Sequence, residues 1–263
     1  MSKVRYERRG AAAVVTIDRQ ERRNAVDLET AEGLHDAYVS FEADDEARVM
    51  ILTGEGSEAF CAGADLKAMA ELAAQESPEK LASMADREEG PMGFTRLTPS
   101  KPTIAAISGW CLAGGLELAL WCDLRIATET AKLGYPERRW GVPLIDGGTQ
   151  RLPRIVGQGR ALDLILTGRI MEAAEAFEWG LVNEIVPPDR HLERALELAE
   201  GIAGFPQETM LSDRRAAIEG LGLPLDEGLK LEAELGQDSI RVGLRGAARF
   251  SSGEGRGGAG AGA

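Results

Sequence analysis

Glu117 is an acid in a setting that a surface role does not explain. It lies in the predicted helix Gly114-Gly115-Leu116-Glu117-Leu118-Ala119-Leu120-Trp121. Its helical neighbours three and four positions away are small or apolar, so Glu117 belongs to no polar stripe and is predicted to face a protein-lined space. An unpartnered buried carboxyl group costs free energy, which makes Glu117 a candidate for function. The alternative is a buried, hydrogen-bonded structural acid.

A second acid, Glu137, follows in the turn-rich segment Gly134-Tyr135-Pro136-Glu137-Arg138-Arg139-Trp140-Gly141. A loop glutamate beside two arginines is usually a solvated ion pair, and this interpretation stays open for Glu137. Together with Glu117, however, it would supply a pair of carboxyl groups, one to take a proton and one to give a proton.

Small residues lead into a predicted helix start in a third segment, Phe60-Cys61-Ala62-Gly63-Ala64-Asp65-Leu66-Lys67. Backbone N–H groups are free at a helix N-terminus, and small side chains let a ligand approach them. The segment is therefore a candidate site for an anion or a developing oxyanion, with an ordinary tight turn as the alternative.

Composition and motifs exclude several other classes of protein. The formal charge of −13 opposes nucleic-acid binding, and no apolar run approaches the length of a membrane span. The Gly-rich stretch 109–115 contains no G-x-G-x-x-G, and the chain has no Walker-type phosphate loop. Only two histidines occur, neither with metal-ligand spacing, so no metal site is expected.

Three scattered cysteines and the absence of a leader-like segment before the first predicted strand favour a reducing, cytoplasmic location. Predicted strands alternate with predicted helices, which indicates an α/β fold with largely parallel strands. The strands are predicted at Ala12–Ile17, Val49–Thr53, Thr103–Ile107 and Leu124–Ala127, and the helices near Asp27–Phe41, Leu66–Ala74 and Gly115–Trp121.

From about residue 190 the pattern changes to amphipathic helices, predicted around His191–Ala203, Gln207–Ile218 and Leu225–Ile240. We therefore divide the chain into a core, 1–190, and a helical C-terminal section, 191–250. The remaining stretch, 251–263, is mostly Gly, Ala and Ser and is predicted to be a disordered tail.

Many ordered motifs between Val14 and Pro187 resemble those of the enoyl-CoA hydratase, or crotonase, superfamily. They are Arg23-Asn24-Ala25, Ala62-Gly63-Ala64-Asp65-Leu66-Lys67, Lys101-Pro102-Thr103-Ile104-Ala105-Ala106-Ile107-Ser108-Gly109, Ala113-Gly114-Gly115-Leu116-Glu117-Leu118-Ala119, Cys122-Asp123, Pro136-Glu137, Gly147-Gly148-Thr149-Gln150-Arg151-Leu152 and Gly180-Leu181-Val182. The resemblance implies a crotonase-like ββα spiral core that binds and converts coenzyme A thioesters. It also implies that the C-terminal helices serve oligomerisation and site closure.

The resemblance also assigns roles to individual residues. It implies an oxyanion hole formed by the N–H groups of Ala64 and Gly114, and two catalytic acids, Glu117 and Glu137. The expected residues for binding substrate and coenzyme A are Arg22, Arg23, Ala25, Ala62, Asp65, Leu66 and Lys67, with Arg22, Arg23 and Lys67 facing its phosphates. Coenzyme A is part of the substrate, no separate cofactor is expected, and homotrimers or hexamers built from two trimers are implied.

The reaction that this resemblance favours is hydration of a 2-enoyl-CoA in fatty acid or other lipid metabolism, because both glutamates are present. Alternatives are isomerisation, thioester hydrolysis, dehalogenation or decarboxylation of another acyl-CoA, or a non-catalytic binding protein. Asp146 departs from the hydratase-like pattern. We expect it to cap the helix that begins near Gly147, with a place in the catalytic site as the alternative.

Overall fold

The computed structural model describes residues 2–253 with the exception of 78, 81, 82 and 84. The chain forms two compact units, Met1–Ala199 and Glu200–Ala263. The division lies nine residues after the predicted boundary, because the first half of the helix that begins at His191 is buried within the first unit through His191, Ala195 and Ala199.

The strands, numbered in chain order, are β1 Val4–Arg9, β2 Ala12–Ile17, β3 Val49–Gly54, β4 Ala59–Cys61, β5 Thr103–Ile107, β6 Trp110–Leu112, β7 Leu124–Thr128, β8 Lys132–Gly134, β9 Ile170–Glu172 and β10 Glu184–Val186. The helices are α1 Leu28–Ala43, α2 Leu66–Ala73, α3 Gly114–Trp121, α4 Gly148–Val156, α5 Gln158–Thr167, α6 Ala173–Glu178, α7 His191–Ala203, α8 Gln207–Glu219 and α9 Leu225–Ser252. Two short 3₁₀ helices cover Gln20–Arg22 and Pro136–Trp140.

The larger sheet has the strand order β1-β2-β3-β5-β7-β10. From β2 to β10 neighbouring strands are parallel, and only β1 pairs antiparallel, with β2. Every residue of β2, β3 and β5 is buried, which is why these strands appear in the sequence as continuous apolar runs. The prediction of an α/β fold with largely parallel strands is confirmed.

A smaller sheet, with the order β4-β6-β8-β9, determines where the candidate site lies. Its first three strands are parallel to one another, so their carboxyl ends meet at one edge of the sheet. The chain leaves these ends into Ala64 after β4, Gly114 after β6 and Glu137 after β8. Three segments that are distant in sequence are therefore brought together by strand pairing.

The second unit contains α8 and α9, whose backbones are linked by side-chain bonds from Ser212 Oγ to the Leu235 carbonyl (2.8 Å) and from Ser239 Oγ to the Glu208 carbonyl (3.1 Å). The prediction that the tail begins at Ser251 is wrong. Helix α9 continues through Ser251 and Ser252 because good helix-forming residues precede them, and it ends where Gly253 adopts a left-handed conformation. The rest of the predicted tail, 254–263, lies outside the described residues.

No helix in the described part of the chain combines the length and apolar character needed to cross a membrane. The three cysteines are buried and form no disulfide.

Candidate active site

The segment after β4 presents one backbone amide, that of Ala64, without a partner. The carbonyl of Gly63 accepts a bond from the Val26 amide, and the Asp65 amide donates to the Val26 carbonyl, each at 2.8 Å. These bonds fix the chain on both sides of Ala64. Among the described residues, nothing accepts a bond from the Ala64 amide itself. A fixed, free donor of this kind is suited to hold an oxyanion.

A second free amide, that of Gly114, lies beside the first. Gly63 has φ +91°, and a Cβ added to it would lie 2.9 Å from the Gly114 nitrogen. Helix α3 begins at Gly114, and in the described part of the chain this amide also donates to no acceptor. Ala113 just before it has φ 52°, a left-handed conformation that is strained for a non-glycine residue. The structure thus places the two predicted oxyanion-hole amides next to each other.

Glu117 lies one turn into α3 and is 2% exposed, as its apolar helical neighbours predicted. One carboxyl oxygen, Oε1, accepts bonds from the amides of Asp146 (3.0 Å) and Gly148 (2.8 Å). The pKa of Glu117 is raised to about 8, chiefly by burial and also by the neighbouring acids Asp146 and Glu137, against the lowering effect of these two amides. No cation forms an ion pair with Glu117 in the described part of the chain, although Arg151 lies close enough to interact with its charge.

Glu137 lies in the 3₁₀ helix after β8 and is also buried, at 6% exposure. Glu137 is therefore not a solvated acid, and its ion pair with Arg138 is long, since Arg138 Nη2 is 4.0 Å from Oε1, too far for a hydrogen bond. Within the part of the chain that the structure describes, neither carboxyl oxygen has a hydrogen-bond partner. Burial raises the pKa of Glu137 to about 7. Both acids therefore have pKa values near neutrality.

The expectation that Asp146 caps the following helix is wrong. Helix α4 begins after Gly147, and no side chain of the described residues caps it. The Asp146 carboxyl instead accepts bonds from the Met92 amide (3.0 Å) and from the Thr95 hydroxyl. It is buried at 3% exposure, which raises its pKa, and its own amide donates to Glu117. Asp146 thus holds the loop that supports Glu117.

The predicted coenzyme A residues form two adjacent segments, because the Ala62 amide donates to the Arg23 carbonyl at 3.1 Å. Arg22 and Lys67 are exposed, and their side chains contact no acid among the described residues. Arg23 is exposed too, but its Nε donates to Glu58 at 3.0 Å. An anionic ligand needs local positive charges to bind a protein of net charge −13, and Arg22 and Lys67 can supply them.

The other predicted contacts differ in exposure. Ala25 is buried, Ala62 is partly buried and Leu66 is 41% exposed. Asp65 is buried, caps α2 through the amides of Lys67 and Ala68, and pairs with Arg19 at 2.9 Å. Its carboxyl group is thus occupied by protein partners.

Sequence reasoning missed three residues of this region, namely Arg19, Tyr135 and Gly148. Arg19 is buried and bonds the Ala25 carbonyl, Asp65 and Asp27. Tyr135 is fully buried beside the two glutamates, and Gly148 lies against Glu117. The only sequence signal was the Gly147-Gly148 pair, since two consecutive glycines indicate a close approach of the backbone to another group.

Comparisons with known proteins agree with this arrangement. The enoyl-CoA hydratase/isomerase family model matches residues 7–245. A probable enoyl-CoA hydratase of Rhizobium meliloti is 42% identical over 237 residues, covering 88% of this chain and 87% of that protein. The crotonyl-CoA hydratase of Syntrophomonas wolfei is 38% identical over 232 residues, covering 87% of this chain and 86% of that protein.

A crystal structure of an enoyl-CoA hydratase from Bacillus anthracis matches with a TM-score of 0.86 at 35% identity, covering 95% of this chain and 96% of that chain. The fold and the site together define a protein of the crotonase fold that has two buried glutamates and two free backbone amides at one edge of its smaller sheet. The chain belongs to the enoyl-CoA hydratase/isomerase family, within the crotonase superfamily.

Proposed function

We propose that this protein is an enoyl-CoA hydratase, which adds water across the 2,3 double bond of a 2-enoyl-CoA. The observation that carries the proposal is the meeting of two free amides and two buried glutamates with pKa values near neutrality at one edge of the smaller sheet. The names of the relatives above, which are hydratases, support the same reaction.

The two amides have an electrostatic role in this reaction. Attack on C3 pushes negative charge onto the thioester oxygen, and the N–H groups of Ala64 and Gly114 donate to that oxygen. Each well-aimed donor of this kind supplies about 2.7–4 kcal/mol of transition-state stabilisation. Because these amides are fixed by the surrounding backbone bonds, little reorganisation is needed when the charge develops.

The two glutamates move the protons. The water oxygen forms a bond to C3 while Glu117 takes one proton from the water, and Glu137 gives its proton to C2. The net change in the substrate is the addition of one water molecule, and a proton then returns from Glu117 to Glu137. The opposite division of roles uses the same pair, because two acids with pKa values of about 8 and about 7 share a proton.

Coenzyme A enters as part of the substrate, and we propose no separate cofactor. Arg22 and Lys67, which pair with no acid in the described part of the chain, bind its phosphates, with Arg23 beside them. Ala25, Ala62 and Leu66 line the path of the thioester, and Asp65 holds this segment through Arg19. We further propose a cytoplasmic enzyme of fatty acid metabolism that assembles as a homotrimer or as a hexamer of two trimers.

The test is turnover of a short straight-chain 2-enoyl-CoA, followed by loss of the absorbance of the conjugated thioester. The native protein should turn over, and Glu137→Gln should lower kcat by about 1,000-fold while leaving the fold intact. Glu129→Gln, at an exposed acid outside the site, is the matched control and should be fully active. Full activity of Glu137→Gln would remove this residue from the mechanism, and an inactive native protein on 2-enoyl-CoAs of several chain lengths would contradict the hydratase assignment.

A further inference from the structure

The hydroxyl group of Tyr135 is a polar group in this site that the mechanism above does not use. Tyr135 links β8 to the 3₁₀ helix that carries Glu137, and its side chain is fully buried. Within the described part of the chain, Oη has no hydrogen-bond partner. Buried tyrosine hydroxyls normally have a hydrogen-bond partner, so we expect this hydroxyl to bond a group that binds in the site.

Gly148 shows which groups lie beside the hydroxyl of Tyr135. A Cβ added to Gly148 would lie 2.6 Å from Tyr135 Oη and 2.9 Å from Glu117 Oε1. Both distances are too short for a Cβ, so Gly148 packs directly against the two oxygens, and the Tyr135 hydroxyl lies close to the Glu117 carboxyl group. Glu137, two residues after Tyr135, has both carboxyl oxygens buried and unpartnered among the described residues.

The hydroxyl of Tyr135 keeps its proton near neutral pH and can therefore donate a hydrogen bond. Burial raises the pKa of Tyr135 well above its usual value, and the neighbouring carboxyl groups of Glu117 and Glu137 raise it further. A phenol that stays protonated can position a molecule without exchanging a proton with it. Both glutamates are close enough for their charges to act on this hydroxyl.

We propose that Tyr135 positions the attacking water, its hydroxyl donating a hydrogen bond to the water molecule that Glu117 and Glu137 hold. The inference rests on the hydratase function proposed above. A water oxygen has two lone pairs, and a fixed donor on one of them leaves the other directed at C3. Tyr135 transfers no proton: the proton of the water still goes to Glu117, and the proton on C2 still comes from Glu137.

Tyr135→Phe removes the hydroxyl and keeps the ring. We expect kcat for hydration to fall about 10- to 100-fold with KM unchanged, because water positioning acts on the chemical step and leaves thioester binding alone. Tyr6→Phe, on β1, is the matched control and should keep native kcat. Since Oη of Tyr135 has no partner in the described part of the chain, loss of this hydroxyl should leave the melting temperature unchanged or higher.

A second reaction separates water positioning from a general defect. In heavy water, a saturated acyl-CoA exchanges its C2 proton through an enolate: the carboxylate of Glu137 takes the proton from C2, exchanges it with the solvent and returns deuterium to C2, with the oxyanion amides holding the enolate oxygen and no addition of water. Tyr135→Phe should keep native exchange while it loses hydration, whereas Glu137→Gln should lose both. Equal loss of both reactions in Tyr135→Phe, or no loss of hydration, would overturn the inference.

The same pair of reactions distinguishes this failure from a failure of the proposed function. A native protein that exchanges the C2 proton but adds no water to any 2-enoyl-CoA would overturn both proposals. Native hydration that Tyr135→Phe leaves unchanged would overturn only the role of Tyr135.

Discussion

Two groups of buried acids in the same unit behave in opposite ways. In the Arg19 cluster, which comprises Arg19, Asp27 and Asp65, the pKa of Asp27 falls to about 2 and that of Asp65 also falls. In the Glu117 cluster, which comprises Glu117, Glu137, Tyr135 and Asp146, the pKa values of the three acids all rise. Asp65 and Glu137 are equally buried, each at 6% exposure.

The clusters differ in direct pairing with a guanidinium: Arg19 lies within 3.0 Å of both Asp27 and Asp65, whereas the ion-pair contact in the described part of the Glu117 cluster, from Arg138 to Glu137, is 4.0 Å long. Burial alone would raise the pKa of Asp65, but the Ala68 amide and the Arg19 guanidinium outweigh it. Among the described residues Glu137 has no such partner, and Glu117 has only two amides. An acid that pairs closely with a cation stays ionised and stabilises the fold. A buried acid that lacks such a pair keeps its proton up to near neutral pH and can transfer it.

The two clusters also depend on each other. Arg19 bonds both the Ala25 carbonyl and Asp65, and Asp65 directly follows Ala64, whose amide we propose as an oxyanion donor. The Arg19 cluster thus fixes the Ala64 amide, which is one of the hydrogen-bond donors that the proposed reaction at the Glu117 cluster needs. Stability and chemistry are assigned to different acids, and the substitutions below test that assignment.

Asp65→Asn should cost stability at neutral pH, because the buried Arg19 loses one of its two carboxylate partners. We expect a loss of about 3 kcal/mol in the free energy of unfolding at pH 7. The pKa of Asp65 is lowered in the folded state, so its contribution is present above the unfolded pKa and is lost as pH falls through the folded one. Urea unfolding from pH 7 down to about pH 3 should show a deficit that stays nearly constant to about pH 4, near the unfolded pKa, and narrows below it; a deficit that stays constant down to about pH 3 would contradict the charge argument.

Glu117→Gln should have the opposite effect on stability. Because the pKa of Glu117 is raised in the folded protein, the protonated carboxyl group contributes its full stability below the unfolded pKa. This contribution is lost as the pH rises toward about 8. The amide oxygen of the new side chain can accept the same two backbone bonds, so the variant should be more stable than the native protein by about 2 kcal/mol at pH 8 and nearly equal at pH 5. Thermal unfolding at both pH values measures this. A variant that is less stable at pH 8 would show that the carboxylate is paired after all.

The pH dependence of kcat/KM gives the smallest effect. Below pH values of about 7 both glutamates are protonated and no base remains, and above about 8 both are ionised and no acid remains. We expect a narrow bell whose two flanks belong to the pair, falling about tenfold per pH unit on each side. Asp65→Asn should keep the same flanks, since Asp65 has no part in the proton transfer. A flat profile would mean that the two acids do not exchange protons in the reaction.

The sequence predicted the parts of the fold whose signal is local. Strands β2, β3, β5 and β7 follow apolar runs, and α1, α2 and α7 follow helical periodicity. The smaller sheet was missed because β4, β6, β8 and β9 have three residues each, too few for any period. Yet the edge of that sheet brings the site together.

The same limit applies to the side chains. Glu117 was found because an acid among apolar neighbours is a local anomaly, and Glu137 was found through its resemblance to a family motif. Arg19 is 46 residues from its partner Asp65 in the sequence. Asp146 is 54 residues from Met92, whose amide donates a hydrogen bond to the Asp146 carboxyl group. No pattern within a short window reports such a pairing. Tyr135 escaped notice because its importance lies in a missing partner, which only packing reveals.

The most direct test of the hydratase mechanism is the fate of heavy oxygen from labelled water when the native protein is mixed with a short 2-enoyl-CoA. We expect one heavy oxygen in the hydroxyl group at C3 of an intact thioester product, formed at least about 1,000-fold faster than with Glu137→Gln. Heavy oxygen found instead in a released carboxylic acid, or no label in any product, would contradict this mechanism.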